Sequence, residues 1–360
     1  MRKRRENGDV IRVPADWEPP RAIWIAWPHN RDTWPGNFDP IPDCFRRIIG
    51  LIAEVAPVHV IGDVKLRVGA RIDHIPNVTW FDIRTDDCWI RDYGPTFVVE
   101  NDEKRYAIDW SYNAWGGKYP PWDADDAATA KMIRESHWNH VKGGLCLEGG
   151  ALEWDGTGRL LTSTTCLVTD TRNPGWSKDQ IVERLREIAG AREVFWVDGG
   201  GLAGDDTDGH IDQLARFVDR ETIVVASCDP TDTANHTGLE SNYRLLSQWA
   251  NETSPGIAVH RLPIPPVRFV QGRRVPESYC NFLRVGSNRI LVPTFRSERT
   301  DSHAIDLLTT LAQQQSPNIR VIGVDCYDLV WGLGALHCAS CNEPLVKSPS
   351  RRSLPFRQTG

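Results

Sequence analysis

ALEWDGTGRLLTS, residues 151–163, holds two apolar runs, Ala151-Leu-Glu-Trp154 and Arg159-Leu-Leu-Thr-Ser163, around the turn Asp155-Gly-Thr-Gly158. Aspartate and glycine supply the turn geometry that other residues resist, so the stretch predicts a β-hairpin. Three further stretches follow the same plan. Thr96-Phe-Val-Val and Tyr106-Ala-Ile flank a polar turn from Glu100 to Arg105. Leu214-Ala-Arg-Phe-Val and Thr222-Ile-Val-Val-Ala flank Asp219-Arg-Glu, and Asn281-Phe-Leu-Arg-Val and Arg289-Ile-Leu-Val flank Gly286-Ser-Asn.

Between the hairpins, apolar residues recur at helical spacing over approximately Pro42–Val55, Asp123–Glu135, Lys178–Ile188, Leu239–Asn251 and Asp301–Gln314. Ser177 and Asp301 supply helix-start signals. A β-β-α-β unit therefore recurs about five times. Just ahead of the hairpins stand Asp92, Glu148, the pair His210 and Asp212, and Asn281, with Cys338 one interval further on. Chemically capable residues thus share one phase of a repeat, and a ring of such units would bring them together on its axis.

Composition narrows the function. A formal net charge of −6 disfavours a general nucleic-acid partner, which requires a basic surface. The basic start, Met1 to Arg5, is followed by no apolar core, so no signal peptide or membrane span is expected and the default location is cytoplasmic. Nine scattered cysteines fit reduced thiols better than a disulfide framework. Of fifteen tryptophans, thirteen precede residue 200, which suits either an aromatic core or a pocket lined with ring faces for an organic cation. No composition break divides the chain. The expected organisation is an N-terminal extension over 1–13, a single catalytic domain over 14–346 and a disordered tail over 347–360.

Gly332-Leu-Gly-Ala-Leu-His-Cys338-Ala-Ser-Cys341 admits three readings: a nucleophile, a metal-binding or redox Cys-x-x-Cys, or a buried inert thiol. No second Cys-x-x-Cys and no His-x₃-His accompanies it, which disfavours structural zinc. The glycines leave room for a substrate beside the backbone, which favours the nucleophile. In Asp205-Asp-Thr-Asp-Gly-His-Ile-Asp212, a histidine and an aspartate two apart would share one face of a strand and suit acid/base work. Its rival is an acidic or calcium-binding loop, but the closing glutamate of such a loop is missing. Arg91 and Asp92 could form a simple ion pair, and Glu148 ahead of two glycines could mark a surface loop. Taken together, a thiol, a histidine and several carboxylates suit a planar cation, since carboxylates pair with guanidinium and a thiolate attacks its carbon.

Over Pro14 to about Pro344 the chain resembles the agmatine deiminase family of the guanidine-modifying superfamily. The resemblance rests on Ile90-Arg-Asp-Tyr-Gly-Pro95, Tyr112-Asn-Ala-Trp-Gly-Gly117, Leu147-Glu-Gly-Gly150, Asp206-Thr-Asp-Gly-His-Ile-Asp212, Ser278-Tyr-Cys-Asn-Phe282 and Gly334-Ala-Leu-His-Cys338. It implies an α/β fold, a five-bladed pseudo-symmetric propeller (pentein) of ββαβ repeats, with no metal and no cofactor. It assigns Cys338 as nucleophile and His210 as general acid and base. Asp92 and Asp212 would grip the guanidinium, Glu148 would orient His210, and Asp206 would meet the far end of the substrate. Trp89, Trp115 and Asn281 complete the expected substrate contacts.

The implied reaction converts agmatine to N-carbamoylputrescine and ammonia through a thiouronium on Cys338. The expected partner is a small cationic guanidine, with no nucleic acid, no membrane, and homo-oligomerisation left open. Three departures from the family pattern, Tyr93, Ala335-Leu336 and the residues after Cys338, are expected in the pocket wall, with Cys341 there as a bystander. Free or peptidyl arginine is the alternative substrate, although Asn113-Ala-Trp-Gly-Gly117 offers no arginine for a carboxylate and only Lys118 stands near. An amidinotransferase and a non-catalytic binding protein are the remaining alternatives.

Overall fold

Each hairpin read from the sequence is present, and each leads through a helix to a strand parallel to its second arm. In the computed structural model, which describes residues 10–253 and 256–346, Thr96–Glu100 pairs antiparallel with Lys104–Ser111. Helix Asp123–Ser136 then carries the chain to Asn139–Cys146, parallel to Lys104–Ser111. The second unit is Glu153–Trp154, Arg159–Ser163, helix Lys178–Ala189 and Glu193–Val197. The third is Ala215–Asp219, Thr222–Ser227, helix His236–Glu252 and Ala258–Pro263. The fourth is Leu283–Val285, Arg289–Thr294, helix Glu298–Gln315 and Arg320–Asp325. A few residues can close an antiparallel pair, whereas a parallel return needs a crossover, which explains this alternation of short turns and helices.

The fifth unit is assembled from both ends of the chain. Cys341–Pro344 pairs antiparallel with Pro20–Ala26, and helix Ile41–Ala53 leads to the parallel strand Val58–Gly62. Val78–Asp82 extends this sheet. Glu343, fully buried on the last strand, accepts hydrogen bonds from the indoles of Trp24 and Trp138, each at 2.8 Å, and from Arg21. Charge-assisted bonds of this kind are the stronger sort, so the closure is chemical as well as geometric. The result is a mixed α/β fold of five three- or four-stranded sheets with one small ribbon, Phe269–Val270 against Arg273–Arg274. Of the expected N-terminal extension, Ile11–Arg12 pairs with Thr96–Glu100. Residues 1–9 of that extension and the expected tail, 347–360, lie outside the described residues.

The helices bury one stripe each, as their spacing requires: Ile41, Phe45, Ile48, Ile49 and Ile52 are all buried. Ser177 caps its helix in a full capping box with Gln180. Asp301 differs from expectation. Its helix starts at Glu298, and its carboxylate accepts from the backbone N–H of Phe295 and Ser297 and from the Tyr279 hydroxyl. It ties the helix to the preceding turn from inside the first turn. Among the described residues, no helix is long and apolar enough to cross a membrane.

Candidate active site

Every unit delivers its polar residue from the short segment just ahead of its hairpin. Asp92 lies in the single-turn helix Ile90–Tyr93, Glu148 precedes the 3-10 turn Gly149–Ala151, and Asn281 ends the turn Tyr279–Asn281. His210 and Asp212 sit at the start of helix Ile211–Leu214. That corrects the expectation of a shared strand face: a one-turn helix, not a strand, aims both side chains. Cys338 stands just before Cys341–Pro344, so the unit made from the two chain ends supplies the thiol.

The thiol is held from two sides. Asn281 Nδ2 donates to Cys338 Sγ at 3.1 Å, and Asp212 Oδ2 lies 3.6 Å from the same sulfur. Asn281 Oδ1 also accepts from the backbone N–H of His337 at 3.0 Å and of Cys338 at 3.3 Å. Asn281 is fully buried, and its amide fixes the Cys338 segment. Burial, then the carboxylates of Asp212 and Asp92, push the Cys338 thiol well above its ordinary range. The neighbouring His337 gives Nδ1 to Asp212 Oδ2 at 2.8 Å, with Nε2 3.4 Å from Asp16. Burial opposes ionisation of Asp212, but His337, His210 and Arg216 outweigh it and hold the carboxyl below its usual range.

Asp92 is cradled by backbone and indole. Gly150 N–H donates to Oδ1 at 3.0 Å and Trp115 Nε1–H to Oδ2 at 2.9 Å. Aiming that indole requires left-handed backbone at Ala114 (φ 50°) and Trp115 (φ 57°), a strain of roughly 1–2 kcal/mol per non-glycine residue. The two glycines after Glu148 are also explained. A Cβ on Gly149 would fall 2.1 Å from the Arg91 carbonyl oxygen, and one on Gly150 would fall 2.6 Å from His210 Nδ1 and 2.7 Å from Asp92 Oδ1. Burial raises the Asp92 carboxyl to about 6, His210 drawing it down and Asp212 and Glu148 pushing it up. Arg91 turns away from Asp92, towards the His337 carbonyl and Asn342.

Glu148 and His210 are both buried. His210 Nδ1 lies 3.6 Å from Asp92 and Nε2 3.8 Å from Glu148, and neither ring nitrogen has a hydrogen-bond partner. Burial works against an imidazolium here, but Asp92, Cys166 and Glu148 together raise His210 well above the ordinary range. Sequence reasoning missed Arg172, whose Nε donates to both Glu148 oxygens at 2.8 and 2.9 Å while Nη1 reaches Asp208 at 2.7 Å. It also missed Cys166, with Sγ 3.8 Å from Glu148 Oε2. Glu148, Cys166 and His210 have donor atoms within 4.8 Å of one another, close enough to share a metal ion.

Cys338, Asp92, Trp89 and Trp115 line a cavity of about 680 Å³ that also reaches Asp206, Tyr119, Lys118 and Arg273. Both readings of the tryptophans hold in part: Trp24 and Trp34 are core, while Trp89, Trp115 and Trp331 wall the cavity. Asp206 accepts from the Tyr119 hydroxyl and sits 3.4 Å from Arg273. The acidic loop turns its other carboxylates elsewhere, Asp205 onto Thr207 and Gly209 and Asp208 onto Lys118 and Arg172.

Gly332 and Gly334 border the cavity, but a Cβ on either would meet the rings of Trp34 or Trp89 within 3 Å. Their lack of a side chain admits tryptophan as well as leaving space. The expectations for the pocket wall are corrected: Ala335 and Leu336 are buried and do not line this cavity. Tyr93 is buried with its hydroxyl on the Asp87 carbonyl, and Cys341 points its sulfur at the Pro95 carbonyl beside a separate small cavity. All nine cysteines are free.

Five sheets with their polar turns gathered around a buried thiol form the architecture of the guanidine-modifying α/β proteins. The chain belongs to the Porphyromonas-type peptidyl-arginine deiminase family, whose model matches residues 12–344. Membership points to a hydrolase acting on guanidino carbon–nitrogen bonds. Substrate-bound C. jejuni agmatine deiminase superimposes with a TM-score of 0.84 at 30% identity, covering 96% of this chain and 99% of that one. Agmatine deiminase of Enterococcus faecalis gives 0.83 at 27%, covering 95% and 99%. A Yersinia pseudotuberculosis protein provisionally named agmatine deiminase is 30% identical over 357 residues, 93% of this chain and 96% of its own.

Proposed function

We propose that the protein is an agmatine deiminase, that Cys338 is its nucleophile, and that its five sheets stand as the blades of a propeller around the site. One observation carries the mechanism. Among the described residues Asp212, whose Oδ2 lies 3.6 Å from the Cys338 sulfur, keeps Oδ1 buried without a hydrogen-bond partner. Both ring nitrogens of His210 are buried without one as well. Buried polar atoms are normally satisfied, so unsatisfied ones around a thiol mark where a ligand's N–H groups and a water belong. Asp92 and Asp212 each offer the guanidinium a carboxylate, and Trp89 and Trp115 wall its plane.

As the cation binds, the Cys338 thiol loses its proton to solvent, and the thiolate adds to the guanidinium carbon. His210 gives a proton to the departing nitrogen, and ammonia leaves. A thiouronium remains on sulfur. Water then attacks the same carbon and His210 takes one of its protons. The carbon–sulfur bond breaks to return the thiolate, and the remaining hydroxyl proton passes to solvent as the ureido product forms. Glu148, fixed by Arg172, keeps His210 charged until that proton is needed.

Agmatine is favoured by the likeness to agmatine deiminases along almost the whole chain. A second reading, an arginine-type substrate with a carboxylate, is favoured by Arg273 and Lys118 beside Asp206. Free thiols throughout suit a cytoplasmic setting. The deciding assay is ammonia release from agmatine, arginine and a peptide ending in arginine, with Cys338→Ala as control. Release from agmatine alone supports the first reading, release only from arginine compounds the second. Silence with all three overturns the deiminase assignment for these substrates.

A further inference from the structure

Cys166 has no part in the chemistry above, yet it is fully buried and its sulfur points at the same Glu148 oxygen that His210 approaches. Sγ and His210 Nε2 each lie 3.8 Å from Glu148 Oε2. Around a tetrahedral zinc ion, with bonds of roughly 2.0–2.3 Å, neighbouring ligand atoms stand roughly 3.3–3.5 Å apart. On these two edges a closure of a few tenths of an ångström would bring the donors to that spacing, and all three donors lie within 4.8 Å of one another. We propose that Glu148, Cys166 and His210 form a reversible site for a thiolate-preferring divalent cation of the zinc class, and that an ion held there stops turnover.

Three features support the site. The donors are one sulfur, one imidazole nitrogen and one carboxylate oxygen, a set that selects zinc-like ions over magnesium or calcium. Among the described residues His210 Nε2 is buried without a hydrogen-bond partner, facing only the Glu148 carboxylate at 3.8 Å. The charges also balance. Glu148, the Cys166 thiolate and nearby Asp92 supply three negative charges against the two of the ion and the one of Arg172. Arg172 then acts as the outer partner that orients the carboxylate ligand. On binding, the S–H proton of Cys166 and the proton on Nε2 of His210 leave to solvent, and the sulfur and nitrogen lone pairs form the new bonds.

The inhibitory consequence rests on the deiminase reading, because the ion takes His210, the proton carrier, and its partner Glu148, and sets a positive charge beside the seat of the substrate cation. Binding itself does not. The first test is therefore independent of turnover: cobalt(II) added to the whole protein, read by the thiolate-to-cobalt charge-transfer band in the near ultraviolet. The band is expected in the wild type and in Cys338→Ala, and lost in Cys166→Ala and Cys166→Ser. A band that survives loss of Cys166 but not of Cys338, or no band at all, overturns the site.

The second test is ammonia release under buffered zinc. Inhibition should compete with substrate, and Cys166→Ala should keep turning over while needing at least about tenfold more zinc, the low end of what losing even an outer partner of a metal site costs. Equal zinc sensitivity in the two proteins overturns the inhibitory role. Absence of turnover with a cobalt band present would instead fault the deiminase reading and leave the metal site standing.

Discussion

Two buried charged regions meet at His337, and they are satisfied in opposite ways. On one side Asp16, Arg91, Glu153 and His337 border a cavity of only about 70 Å³, where cations answer the carboxylates. Arg216 donates to Glu153 at 2.7 Å, to the Phe282 carbonyl at 2.9 Å and to Asp16 at 3.2 Å. On the other side Asp92 and Asp212 face one another's charge across His210, and polar atoms stay unpartnered. Burial is common to both and so cannot be what sets them apart. Nor do the carboxyl shifts divide the regions. Burial opposes ionisation of Asp16, yet His337, Arg91 and Arg216 hold it well below the usual carboxylate range, while burial raises its neighbour Glu153 to about 7. On the other side Asp92 is pushed up to about 6 while Asp212 is held low. Ionised groups in the core do not by themselves mark a site; a deficit of partners does.

That contrast is broken most directly by exchanging effects between the two sides. Cys338→Ala should lower kcat by at least about 10⁴-fold, as losing a covalent nucleophile does elsewhere, with little change in the urea midpoint. Arg216→Met should act mainly on stability, with a smaller effect on turnover through the charge it removes from near Asp212. It leaves Glu153 and Asp16 facing a missing cation and should cost about 3–5 kcal/mol in urea unfolding. A Cys338→Ala protein as unstable as the Arg216 variant, or a fully stable Arg216→Met, would show that the two regions are not distinct.

How far sequence reached follows the same division. The four hairpins are local, each strand within a few residues of its partner, and so alternation and turn chemistry exposed them. The fifth joins Pro20–Ala26 to Cys341–Pro344, and no local pattern links residues so far apart. Asp92, Glu148, His210, Asp212, Asn281 and Cys338 were legible because they share one phase of the repeat. Arg172 was not: it follows a hairpin instead of preceding one, and its tie to Glu148 exists only in space. Nor could the sequence show that Trp115 reaches Asp92, because that contact depends on consecutive left-handed residues at Ala114 and Trp115. The Glu-Gly-Gly run was visible but looked like a loop, and only the atoms packed against each glycine give its reason.

Gly150→Ala sharpens the comparison with a methyl group. The new Cβ would press on His210 and Asp92 without touching the paired side. A displacement near 1 Å at reacting groups can cost about 10²-fold, so kcat/KM should fall by about that factor. Unchanged kinetics would show that the Asp92–His210 spacing does not matter. Asp92 also predicts the acid limb. Its raised pKa means that the carboxylate needed for the cation is present above about pH 6 and lost as the pH falls through it. In the free enzyme kcat/KM should therefore decline by about tenfold per unit below that point. Asp92→Asn should remove this limb along with most activity; a limb unchanged in the residual activity would assign it to another group.

The smallest effect concerns the thiol before any chemistry occurs. Burial and two carboxylates hold Cys338 well above an ordinary thiol, so in the free protein it is protonated at neutral pH and reacts slowly with iodoacetamide. Those same carboxylates are the expected seats of the substrate cation. An unreactive guanidinium analogue bound there would cancel the repulsion and add an attractive charge next to sulfur, both of which lower the pKa. A downward shift of one unit corresponds to about 1.4 kcal/mol. The pH at which alkylation accelerates should move down by at least that much with the analogue at saturation, using a reagent small enough to enter beside it. Cys341, near the small cavity and away from both carboxylates, gives the internal reference, since its alkylation should not respond. An unshifted Cys338 profile would mean that the bound cation does not make the thiolate, and substrate-assisted activation would be overturned.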